Sequence, residues 1–141
     1  MTVNLIALTG PHGEIGNSDG SRPQFEGIRD SMNWFLGAVH GGVVVVGRKT
    51  VDQMAEDGVD LNRLPYHMVV FTRKNAPPTV PDYIRMIDQN FPDRPIFIAG
   101  GRQTYDAFLP FCTNFFIRKT SIVGTNDLFL PPLYAPRGTI H

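Results

Sequence analysis

Val43–Val46 is an unbroken run of valines that meets Gly47 and passes at once into Arg48-Lys49-Thr50 and an apparent helix. Successive side chains of a strand point to opposite faces, so a strand with one wet face alternates apolar with polar residues. Valine at every position demands cover on both faces, which is the condition of a central strand in a parallel sheet clothed by helices. Met68–Thr72 (MVVFT) and Ile96–Ala99 (IFIA) are continuous in the same way. Glycine turns and helical patterns separate these runs. Strands that alternate with helices imply βαβ crossovers, and the expected class is α/β with a mostly parallel central sheet.

The remaining elements fit that frame. Val3–Thr9 reads as a strand stopped by Gly10-Pro11. Residues 11–23 form a long polar stretch with Ile15 as its apolar pin, and a loop of that length in a compact domain is usually functional. From Phe25 a helical pattern sets Ile28, Met32, Phe35 and Leu36 on one face until Gly41-Gly42. Further helices are expected over Lys49–Met54 and Gln103–Leu109, and the last clear strand over Asn114–Val123. A chain of 141 residues suits one domain, residues 1–141, around one core.

Bulk composition narrows the function classes. The 13 basic and 13 acidic residues cancel to a formal net charge of zero, so nothing favours nucleic acid or an anionic membrane. No apolar run reaches membrane-spanning length and no signal-peptide pattern opens the chain, so a soluble cytoplasmic protein is expected. The lone Cys112, set in PFCTNFF, cannot form an internal disulfide and reads as core packing. The four histidines are scattered without metal-ligand spacing, and no Ser-His-Asp or nucleophilic cysteine arrangement is legible.

Two strand–glycine–helix junctions carry the functional signal: VVVVGRKT and IFIAGGRQTY. Glycine permits a tight turn and close approach of a ligand, and the helix start beyond it offers unpaired N–H groups and a positive dipole end. Ligands of open parallel sheets bind outside the carboxyl ends of the strands, where both junctions fall. A third strand ends in Thr72-Arg73-Lys74, so Arg48, Lys49, Arg73 and Lys74 can converge on one multiply charged phosphate ligand. Neither junction carries the G-x-G-x-x-G fingerprint and there is no P-loop.

NLIALTGPHGEIGN, the helix ending in NWF, VVVVGRKT, VVFTR, IFIAGGRQTYDAFLP and FFIRKTSIVGTNDLFLP together resemble the dihydrofolate reductase family along nearly the whole chain. The resemblance implies a three-layer sandwich and an NADPH cofactor. Gly47, Arg48, Lys49 and Thr50 would hold its pyrophosphate and adenosine phosphate, and Thr72 with Arg73 would cradle the phosphate on the adenosine ribose. Arg48 and Arg73 suit a bidentate grip on that dianion, which favours NADPH over NADH. Gly100, Gly101, Arg102, Gln103 and Thr104 would form the turn facing the pyrophosphate. Ile6, Ala7 and Leu8 would line the nicotinamide and pterin pocket, Phe35 would pack on the substrate, and Ile15 with Gly16 would anchor a lid that expels water from the hydride transfer.

The pattern breaks on the substrate side. The family's pterin-gripping carboxylate lies four residues before the aromatic of the first helix, and here that position is Ser31. Asp30 is adjacent, but one residue is a rotation of about 100° on a helix. Either the helix begins differently and turns Asp30 inward, or Ser31 replaces the acid. Arg118 falls where the family has a threonine that helps hold the substrate. It would pair with Asp30, meet an unusual substrate, or guard an exposed strand edge with Lys119. The arginine expected before the third strand is replaced by Tyr66-His67, with Arg63 nearby, and the lid's Pro-Trp reads Pro23-Gln24. The family's C-terminal antiparallel hairpin is absent, since only irregular sequence follows Pro131. Asn114–Val123 would then be an open edge, leaving room for a homodimer.

The first expectation is therefore NADPH-dependent reduction of dihydrofolate to tetrahydrofolate by hydride transfer to the pterin C=N bond. The second keeps fold and cofactor and changes the heterocyclic substrate. The third is an NADPH-binding or structural homologue with little catalysis. The substrate is a small molecule in the first two.

Overall fold

The computed structural model describes residues 2–21, 23–72, 74, 79–132 and 139–140. Strands β1 (Val3–Thr9), β4 (Val43–Gly47), β5 (His67–Phe71), β6 (Ile96–Ile98), β7 (Asn114–Lys119) and β10 (Thr139–Ile140) form one sheet in the order β10-β7-β1-β6-β4-β5. Every pairing in it among the described residues is parallel. Helices α1 (Ile28–Val39), α2 (Arg48–Glu56), α3 (Val80–Asn90) and α4 (Arg102–Phe108) supply the crossovers. The chain is α/β.

The valine run does what its composition demands. Val43 and Val45 enter the apolar cluster under α3 and α4, with Tyr83, Ile84, Ile87, Tyr105 and Phe108. Val44 and Val46 enter the opposite cluster under α1 and α2, with Val39, Val51 and the half-buried Trp34, Phe35 and Leu36. All four valines are 0–2% exposed. Register carries the two faces across the sheet, since Val44 aligns with Phe97 and Met68, and Val45 with Ile98 and Val69. Helices thus cover both faces in three layers.

Several boundaries differ from the sequence reading. Gln24–Phe25 is a short strand, β3, paired antiparallel with β8 (Ile122–Val123), so α1 starts at Ile28 and not at Phe25. Gly27 at its N-cap, with φ of 64°, provides the break. The expected strand Asn114–Val123 is accordingly split after Lys119. The sequence reading of residues 80–90 named no helix, yet α3 carries plain start signals: Thr79 caps the Asp82 N–H at 3.2 Å and proline stands in the first turn. The tail beyond Pro131 is not wholly irregular. Thr139–Ile140 pairs with Asn114 and Phe115, covering the first two residues of the edge that the sequence left open. Cys112 is buried as expected; burial pushes its thiol up to about 12, and Sγ donates to the Phe108 carbonyl at 3.3 Å. Among the described residues no helix is long and apolar enough to cross a membrane.

Candidate active site

Connections determine where a crevice opens. From β4 the chain leaves into α2 on the α1 face, whereas from the adjacent β6 it leaves into α4 on the other face. Neighbouring strands whose helices diverge leave a gap at their carboxyl ends, the preferred ligand position in open α/β sheets. Both glycine junctions sit at this gap. The Gly47 N–H donates to the Gly100 carbonyl at 2.7 Å, and Ala99 N–H to the Val45 carbonyl at 2.9 Å. A Cβ on Gly47 would lie 2.9 Å from Thr104 Oγ1 and 3.6 Å from the Gly100 oxygen, so only glycine lets the two turns close together. Gly100 has φ of 117°, and the Gly100–Gly101 peptide is cis. A Cβ on Gly101 would stand 3.8 Å from Thr50 Oγ1. Gly47, Thr50, Gly100, Gly101 and Thr104, expected separately from two motifs, thus form one constellation.

The cations are less concentrated. Arg48 and Lys49 are exposed at the start of α2, and Arg48 Nε lies 3.5 Å from Asp52 one turn on. Neither α2 nor α4 has a side-chain cap, so the N–H groups of their first turns have no such acceptor. Thr72 is half-buried just past β5, and Arg73 lies outside the described residues. Gln103 is exposed. Arg102 is engaged away from the cradle. Its Nε reaches both Asp106 carboxylate oxygens at 3.0–3.1 Å, and its Nη1 donates to the Phe129 carbonyl at 2.6 Å. It ties α4 to strand β9 (Leu128–Phe129).

The open alternative at α1 has an answer. Ser31 is 1% exposed and faces inward, while Asp30 is exposed. Arg118 pairs with Ser31 and not with Asp30, donating from Nε to Ser31 Oγ at 3.1 Å. Its β7 position aligns with Leu8 on β1, two residues beyond Ile6, which packs in the α1-side cluster. Ile6, Leu8, Ser31, Phe35 and Arg118 therefore share that face, with Phe35 edge-on to Tyr66 at 6.2 Å between ring centroids. Ala7 points the other way, into the cluster under α4. Tyr105 spans the layer: its hydroxyl donates to the Ile6 carbonyl at 2.8 Å, and burial pushes its pKa far above the ordinary phenol range.

The segment 11–21 is tethered at named points. Strand β2 (Glu14–Gly16) pairs with β9, and Ile15 packs on the core as the predicted pin. Glu14, 8% exposed, accepts from the His12 N–H at 2.6 Å. Ser18 donates twice to Asp127, from its N–H at 2.8 Å and its hydroxyl at 2.6 Å, while Asn17 donates to Asn126 Oδ1 at 3.0 Å. The sequence reading missed this latch, since pairing across 109 residues leaves no periodic trace.

The Ser18 hydroxyl, and next its N–H, hold the Asp127 carboxyl below its ordinary pKa. A carboxylate favoured in the closed state contributes above its ordinary pKa, and that contribution is lost as pH falls through the lowered value. Protection of the Ser18 amide against exchange, taken relative to its intrinsic rate at each pH, should therefore fall on acidification below the usual carboxylate range. Asp19, held low by the Ser21 hydroxyl and N–H, titrates nearby, so Asp127→Asn is the control. Wild-type and Asp127→Asn proteins with the same Ser18 exchange across that range would rule the latch out.

Comparison with protein-family models and with curated proteins finds no match.

Proposed function

We propose that the protein is an NADPH-dependent reductase that delivers hydride to the carbon of a heterocyclic C=N bond, with dihydrofolate as the first substrate to test and tetrahydrofolate as its product. In this reading the chain has the dihydrofolate reductase fold and works in the cytoplasm. The observation that supports it most is the meeting of the two glycine junctions at the divergence of α2 and α4, beside a pocket face built from β1, β7 and α1. The cradle suits a dinucleotide: Gly47 and Gly100 keep the mouth free of side chains, Thr50 and Thr104 bring hydroxyls, and Arg48 and Lys49 stand at its rim.

NADPH, when bound, supplies the hydride. The chain's own residues position the acceptor ring between Leu8 and Phe35, hold its polar edge at Ser31 and Arg118, and exclude bulk water through the tethered segment 11–21. With Asp30 exposed and Ser31 inward, the proton that completes the C–N reduction comes from water. Ser31 Oγ accepts from Arg118 and keeps its own proton to donate.

Calorimetric titration with NADPH, followed by loss of NADPH absorbance on adding dihydrofolate, tests the reading. Binding and turnover support it. A folded protein that ignores NADPH ends it. Arg48 is expected to act on the ribose phosphate: Arg48→Ala should weaken NADPH by about tenfold, the scale of one charge-assisted pair, and NADH much less. Equal weakening of both dinucleotides would remove Arg48 from that role.

A further inference from the structure

Resting on that reading, the pair at the α1 wall specifies which edge of a substrate the site accepts. Ser31 is almost wholly buried, and its hydroxyl oxygen is taken by Arg118 Nε. A guanidinium has N–H donors and no acceptor, and a hydroxyl whose oxygen is engaged retains an O–H to give. Among the described residues no carboxylate is ion-paired with Arg118, and its hydrogen bond to Ser31 is made by Nε and not by a terminal nitrogen. The one carboxylate of the α1 start, Asp30, is exposed. Leu8, Ile6 and Phe35 supply apolar surroundings on the same face. This wall is positively charged, and its hydrogen-bonding groups are donors.

We propose that Arg118 and Ser31 read a hydrogen-bond-accepting edge, so that the heterocycle taken by this site turns an oxo group toward them and keeps any amino group away. An amino group there would set donor against donor beside a fixed positive charge. A part-buried donor without an acceptor costs about as much as a lost hydrogen bond. A site built to pair one kind of edge rejects the mismatched analogue far more strongly than an apolar pocket rejects an extra methylene. A pterin carries both kinds of edge, and its oxo side would meet Arg118.

The test compares two pteridines with the same ring system, one dioxo and one diamino, by fluorescence titration of the full chain at neutral pH. Each titration is run with and without saturating NADPH. The dioxo compound should bind at least about tenfold more tightly, the discrimination expected when one polar edge is mismatched. Arg118→Met should abolish most of that preference, and Arg118→Lys, which keeps the charge without the fork, should retain part of it. Ser31→Ala, a small change at a buried position, decides the matter if the Arg118 variants do not fold. It should lower the preference by releasing the guanidinium. Equal or tighter binding of the diamino compound, binding of neither, or a preference unmoved in a folded Arg118 or Ser31 variant would overturn the proposal. Failure to bind NADPH would sink the reductase reading, while the preference measured without NADPH still decides this one.

Discussion

Gly47→Ala should cut NADPH affinity by at least about tenfold, or 1.4 kcal/mol, and lower the melting temperature as well. The added methyl would stand 2.9 Å from Thr104 Oγ1, inside contact distance, with the Gly100 oxygen at 3.6 Å and the Gly101 nitrogen at 3.7 Å behind it. Thr104 is 3% exposed and cannot swing into solvent. The two turns must move apart, straining the 2.7 Å bond from the Gly47 N–H to the Gly100 carbonyl. Overpacking of this kind costs roughly 1–3 kcal/mol. In a chain of this length each kcal/mol moves the melting temperature by about 4 °C. Thr104→Ala removes the colliding atom, so the double variant should recover most of the melting temperature. It should not recover NADPH affinity, since Thr104 itself borders the cradle. A Gly47→Ala protein that binds NADPH like wild type would dissociate the junction from the cofactor.

What the sequence made legible follows physical range. The valine run specified burial on both faces because a strand's side-chain alternation is local, and Val43–Val46 divide between the two cores accordingly. The glycine junctions were legible because positive φ and close backbone approach select one residue type; that the two touch was not, since β4 and β6 are brought together by crossovers through β5 and α3. Ser31 against Asp30 turned on where α1 begins, and Gly27, in the left-handed region, sets that start. Arg118 depends on a register between β7 and β1, which no local pattern encodes. Helix α3 went unnamed although Thr79, Pro81, Asp82 and the spacing of Tyr83, Ile84 and Ile87 are local signals. The Ser18–Asp127 latch joins two loops, where hydrophobic periodicity has nothing to report.

Phe108→Ala should be the most destabilising single change among those considered, and it should leave the chemistry of the cradle alone. The ring is fully buried and meets Phe71 edge-on at 5.0 Å and Tyr83 at 5.8 Å, an aromatic cluster joining α4, β5 and α3. Truncating such a side chain forfeits its transfer free energy and leaves a cavity, about 3–5 kcal/mol in total. Against a stability of roughly 5–15 kcal/mol for a typical domain, that brings the protein near its unfolding threshold. Urea titration should show the midpoint falling with little change in slope. Phe108→Leu fills most of the space and should cost far less. NADPH affinity per folded molecule should be unchanged, because the start of α4 keeps its own anchors. The Tyr105 N–H still bonds the Gly101 carbonyl at 2.9 Å, and the Tyr105 hydroxyl still bonds Ile6. A cost below about 1 kcal/mol, the size of a surface effect, would mean that Phe108 is not at the centre of the core. A loss of NADPH affinity in the folded fraction would mean instead that the cradle is positioned by packing beneath α4 as well as by its own glycines.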